Sequence, residues 1–94
     1  MAAIDLDRYL DGSGRLTVYP SRSSRKRLVL AFLAAQFERG REYSEREVNA
    51  ILRQHHTFDD PALLRRELFD RGYLDRTPDG ARYWVISSGP QPPP

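Results

Sequence analysis

The chain has 94 residues, 39% hydrophobic and 30% charged: room for one small domain, in the balance of a chain that folds rather than one that stays disordered. It has no cysteine, which excludes disulfides, zinc fingers, iron–sulfur clusters and thiol catalysis, and no apolar run near the roughly 20 residues of a membrane-spanning helix. Fifteen Lys and Arg against 13 Asp and Glu leave a formal net charge of +2, so any phosphate-binding surface must come from local clustering.

Residues 1–10 read as a short amphipathic turn with Ile4, Leu6, Tyr9 and Leu10 as apolar contacts. This start has neither a basic region nor a long apolar stretch, so no secretory signal is expected and the location is read as cytoplasmic. Asp11-Gly12-Ser13-Gly14 is a turn. Arg15 to Tyr19 alternates, with Leu16 and Val18 on one side, and predicts a short edge strand ending at Pro20.

Arg22 to Glu38 predicts a helix apolar nearly all round, the central one of a small domain, with Gly40 as its left-handed cap. Ser44 with Glu47 three residues on is a capping box that opens a second helix, running to His55. Val48, Ile51, Leu52 and His55 fall on one face of it. Asp59 or Asp60 caps a third helix with Pro61 in its first turn. Leu64 and Leu68 point inward, Ala62 and Arg66 outward, Arg65 lies on the flank, and Gly72 ends the helix. Tyr73–Arg76 and Arg82–Ile86 form a hairpin around Pro78-Asp79-Gly80. Residues 87–94, rich in Pro, Gly and Ser, read as a disordered tail beyond a single domain at 1–86.

The fold class this order implies is α+β. It is a winged helix-turn-helix with a three-helix core, a C-terminal hairpin wing and a short N-terminal strand. The expected core is Leu28, Phe32, Phe37, Val48, Ile51, Leu52, Leu64 and Leu68, with Leu74 and Trp84 closing its open side.

The run Leu68-Phe69-Asp70-Arg71-Gly72-Tyr73-Leu74-Asp75-Arg76 resembles the recognition-helix-to-wing junction of bacterial winged-helix regulators. Several blocks are similar to the prokaryotic domain-of-unknown-function family numbered 2087. They are Arg15-Leu16 with Pro20, the basic start of the long helix, Tyr43-Ser44-Glu45-Arg46-Glu47-Val48-Asn49, Leu64-Arg65-Arg66-Glu67-Leu68, Leu74-Asp75-Arg76, and Gly80 with Tyr83-Trp84. The likeness spans about Arg15 to Trp84. That family occurs alone or fused to helix-turn-helix regulators, so the resemblance implies a regulatory setting; it supplies no activity and no binding residues.

Arg22, Arg25, Lys26 and Arg27 are the one dense basic run. They read either as a phosphate-contacting patch or as a solvated helix end; cations there oppose the helix dipole, which favours a function. Arg65 and Arg66 could reach phosphates or base edges from the third helix. Against that, Arg65 could brace the helices through a carboxylate such as Glu47, and Arg66 could pair with Asp70. The acids Asp59 and Asp60 at the start of that helix count against base reading. Arg76 and Arg82 flank the wing turn and suit a minor groove or phosphate, or a pairing with Asp75 or Asp79. His55-His56 with Asp59 and Asp60 invites a metal reading, but adjacent histidines diverge by about 100° on a helix, so no metal is expected. No cofactor motif and no catalytic triad is present in the pattern.

The expected function is therefore a non-catalytic winged-helix module of a prokaryotic transcription regulator. It would bind double-stranded DNA through Arg22, Arg25, Lys26, Arg27, Arg65, Arg66, Arg76 and Arg82. The alternative is a protein-interaction module, pairing as a homodimer or with a regulator's partner domain and motivated by the apolar excess at Leu63, Phe69 and the long helix.

Overall fold

A computed structural model describes residues 6–86. The expected contact at Ile4 and the expected tail at 87–94 lie outside the described residues. A 3₁₀ turn, Leu6–Tyr9, precedes three α-helices: α1 (Ser23–Ala34), α2 (Glu45–Arg53) and α3 (Pro61–Asp70). An antiparallel pair follows, β1 (Leu74–Arg76) and β2 (Tyr83–Val85), in the register Leu74↔Val85, Asp75↔Trp84, Arg76↔Tyr83. The fold is α+β, as the order of elements predicts.

Helix α1 ends four residues earlier than its apolar run suggests. Beyond Ala34 the chain tightens, with Gln36 N–H on the Leu33 carbonyl (3.1 Å) and Phe37 N–H on the Ala34 carbonyl (3.1 Å). This tightening turns Phe37 into the core, edge-on to Tyr43 at 5.2 Å. The Glu38 amide donates to the Tyr43 hydroxyl (2.8 Å) instead of to a helical carbonyl. Gly40, with φ of 80°, sits in the following turn rather than capping the helix.

Helix α2 starts at the expected capping box. The Ser44 hydroxyl accepts from Glu47 N–H (3.1 Å), and the Glu47 carboxylate accepts from Ser44 N–H (2.8 Å). For α3 the cap is Asp60, which accepts from Leu63 N–H (3.1 Å), while Asp59 takes a left-handed φ of 49°. Gly72 closes α3 through a Schellman pair, Gly72 N–H to the Phe69 carbonyl (3.2 Å) and Tyr73 N–H to the Leu68 carbonyl (2.8 Å). Its φ of 88° is one that a side chain would oppose.

The expected strand at Arg15–Tyr19 is not formed. Leu16 makes single bridges to Leu10 and His56, threading between the first turn and the α2–α3 connection. One residue of pairing does not sustain a pleat, so Leu16 is fully buried while Val18 is 50% exposed, not beside it. The segment that joins the hairpin is the stretch before α2. Tyr43 and Tyr83 exchange both backbone hydrogen bonds, each 2.8 Å.

The core is filled by Val29, Leu30 and Leu33 of α1, Val48 and Leu52 of α2, Leu64 and Leu68 of α3, and Leu16, Leu74 and Tyr83. Three expected core residues, Leu28, Phe32 and Ile51, are only half-buried. The hairpin register decides the outcome at Trp84. Its cross-strand partner is the exposed Asp75, and Tyr83, one residue earlier, takes the core-closing place expected of the tryptophan. Among the described residues no helix is long and apolar enough to cross a membrane.

Candidate nucleic-acid interface

Helix α3 carries two chemically different flanks. The first faces α2. There the Arg65 guanidinium donates to the Asn49 side-chain oxygen and lies 3.8 Å from the Glu45 carboxylate, tying α3 to α2. The expected partner, Glu47, is engaged in the capping box and pairs with Arg41 at 3.9 Å instead.

The α2–α3 connection beside it is held by His56, 1% exposed. Its Nε2 accepts from Asp60 N–H (2.9 Å), so Nδ1 carries the proton and donates to the Leu52 carbonyl (2.6 Å). Both ring nitrogens are thereby satisfied inside the fold. Arg15 completes the junction, with Nη2 donating to the carbonyls of Arg53 (3.0 Å) and His56 (2.7 Å) at the C-terminal end of α2. His55 lies half-buried, its ring edge-on to Phe32 at 6.2 Å, and burial first, then the Arg15 charge, holds its pKa down.

The second flank faces the hairpin and forms one wall of a groove of about 380 Å³. Ala62, Leu63, Arg65, Arg66, Phe69 and Asp70 line it from α3, Arg65 from its braced position, and Arg76 lines it from β1. The Arg76 guanidinium lies over the Phe69 ring, 4.4 Å from its centroid. Arg66 is exposed, and the expected Arg66–Asp70 pair is not formed. Among the described residues neither Arg66 nor Arg76 has a carboxylate within ion-pair distance. Asp60 and Asp70, at the start and the end of α3, also line the groove.

The remaining expected cations lie elsewhere. Arg82 sits 3.6 Å from Glu42, turned toward the segment before α2. The two acids expected as wing partners have other roles: Asp79 accepts from Thr77 and Ala81 within the turn, and Asp75 accepts from the Arg76 amide. Of the basic run, Arg22 and Arg27 are exposed. Arg25 donates to the Tyr9 hydroxyl (2.9 Å), and the Lys26 ammonium lies 5.4 Å from the centre of the Tyr19 ring. None of these four lines the groove. The cationic residues thus divide between the groove, the start of α1 and internal braces.

Next to the basic run, the Tyr19 hydroxyl donates to Glu67 (2.7 Å), and Arg71 Nε lies 2.8 Å from the same carboxylate. Burial and the carboxylate push the Tyr19 pKa far up; the Tyr19 hydroxyl and Arg71 hold that of Glu67 down. Neither Arg15 nor His56 announces its role by local pattern, because Arg15 reaches carbonyls 38 and 41 residues away. Phe69 had a signal, a large apolar residue away from the inward-facing Leu64 and Leu68.

No curated protein and no solved structure matches the chain significantly. The family model described as "Uncharacterized protein conserved in bacteria (DUF2087)" matches residues 15–85. That span opens at the arginine that caps α2 and closes on the last strand, covering all three α-helices and both strands, and the chain belongs to this family.

Proposed function

We propose that this domain is a non-catalytic, winged-helix DNA-binding module of a bacterial transcription regulator, acting in the cytoplasm. The observation that carries the reading is the pair Arg66 and Arg76. They come from two elements, line one groove, and have no carboxylate partner among the described residues. An arginine held free of acids can form bidentate bonds to a phosphate or a guanine edge without first breaking an internal pair.

The order of elements supports the same reading. An extended residue between the first two helices, Tyr43, pairs with the last strand, so α3 is followed directly by a hairpin stitched to the helical core. In this reading α3 and the hairpin together face the DNA, with Thr77–Arg82 as the wing tip and phosphates contacted by Arg22 and Arg27 at the start of α1 as a separate anchor.

The test is fluorescence anisotropy of the full chain with random duplex DNA at low and moderate salt. Binding should weaken steeply with salt, and R66A and R76A should each lower affinity and reduce the log–log salt slope by about one. No binding at low salt, or unchanged affinity in both variants, rejects the reading. One observation favours a protein-interaction module instead: Leu63 and Phe69 are half-buried large apolar residues in the same groove. Light scattering showing a concentration-dependent dimer that L63D dissolves would support that alternative.

A further inference from the structure

We propose that the groove between α3 and the hairpin receives a single unstacked nucleotide of a DNA strand, so that the module prefers DNA carrying an unpaired base over continuous duplex. The inference rests on the DNA-binding reading above and specifies its target.

Shape is the first argument. A continuous major groove, roughly 12 Å wide and 8.5 Å deep, is filled by a convex helix that projects from its domain. The outer flank of α3 is instead one wall of a concavity whose other wall carries Arg76 and Tyr83. A concave surface takes in a group that protrudes from its partner. At about 380 Å³ the groove lies within the range of roughly 300–1,000 Å³ typical of small-ligand sites.

The chemistry inside matches a base and its phosphate. Phe69 offers a ring face, and the Arg76 guanidinium already lies on it at 4.4 Å. A planar group stacked on an aromatic ring is the contact a splayed base would make, with the guanidinium moving to its far side or out to the phosphate. Arg66, three residues before Phe69 and on the same face of the helix, is free to take the phosphate.

The acids limit the path of the strand. Asp60 and Asp70, at the two ends of α3 and both lining the groove, would repel a phosphate backbone laid along α3. The backbone is left to cross near Arg66, presenting one nucleotide. A carboxylate also accepts hydrogen bonds, so Asp70 favours bases with an exocyclic amino group, cytosine, adenine or guanine, over thymine.

The experiment compares a fluorescent DNA hairpin that is fully paired with the same hairpin carrying one unpaired cytosine, each titrated with the full chain at low salt. The bulged hairpin should bind about tenfold more tightly, the scale of one base–aromatic stack. A thymine bulge should gain less. F69L, which keeps apolar volume but removes the ring, should collapse the ratio of the two affinities toward one, and F69Y should retain it. A 2-aminopurine placed in the bulge should change its fluorescence on binding to the wild type and not to F69L. Equal affinity for paired and bulged hairpins, with binding still dependent on Arg66 and Arg76, overturns this inference and leaves the DNA-binding reading standing. Absence of binding to either hairpin removes both.

Discussion

The two flanks of α3 use the same residue types to opposite ends. On the α2 side, Arg65, His56 and Asp60 are tied to Asn49, Glu45, Leu52 and one another. On the hairpin side, Arg66 and Arg76 have no carboxylate partner among the described residues, and Phe69 is covered by a guanidinium rather than by core. Arg65 and Arg66 are adjacent in sequence and both line the groove, but the turn of about 100° between neighbours on a helix lets Arg65 reach Asn49 and Glu45 of α2 while Arg66 has no carboxylate partner among the described residues. The contrast separates groups that hold the fold from groups left available to a partner.

The largest expected effect breaks the braced flank. His56→Ala removes a fully buried ring and leaves the Asp60 amide without its acceptor, while the Leu52 carbonyl keeps the His55 amide. A part-buried donor left without its acceptor, plus a cavity, should cost about 3 kcal/mol. In a domain of this size that lowers the melting temperature by more than about 10 °C. A loss under about 1 kcal/mol in urea unfolding would mean that the junction is not pinned by this ring.

The next effect sharpens the contrast between neighbours. Arg65→Ala removes a part-buried, charge-assisted bridge between α2 and α3 and should cost about 1–2 kcal/mol. Arg65→Lys should recover little of it, because an ammonium does not reproduce the fork that reaches both Asn49 and Glu45. Arg66→Ala should change stability by less than about 0.5 kcal/mol. Urea unfolding of the three variants side by side checks this, and equal costs at 65 and 66 would mean that the two arginines contribute alike to the fold.

The elements of this fold were legible where their signals are local. The Ser44–Glu47 capping box, Pro61 after Asp60, Gly72 and the hairpin turn each need only neighbours three or four residues away, and each appears where expected. What escaped depends on distant partners. The alternation at Leu16 and Val18 looked like a strand, but no neighbouring strand lay alongside to hold it. Trp84 looked like the closing residue until the register assigned that place to Tyr83. The site divides in the same way. Arg66 and Arg76 could be named from helix phase and turn position, whereas the partner of Arg65 and the capture of Arg82 by Glu42 depend on how α2 and the segment before it pack.

The effect that depends on pH lies on the side of α3 that faces α1, where Tyr19, Glu67 and Arg71 form a third kind of contact, part-buried and titratable. The Tyr19 hydroxyl, together with Arg71, holds the Glu67 carboxyl below its ordinary pKa of 4.5. A carboxyl depressed in the folded state stabilises the protein above its unfolded pKa, and that contribution is lost as the pH falls through the folded value. His55, depressed from 6.5, acts at higher pH, because the unfolded chain takes up that proton first and stability begins to fall below about 6.5. Urea unfolding across pH should therefore show two bends. Tyr19→Phe should cost about 1 kcal/mol at pH 7, leave the His55 bend in place, and draw closer to the wild type below about pH 4.5, where a protonated Glu67 no longer rewards the hydroxyl. A constant gap between the two proteins down to pH 3 would mean that the Tyr19–Glu67 bond does not depend on the charge, and this side of α3 would then belong with the neutral braces of the α2 flank.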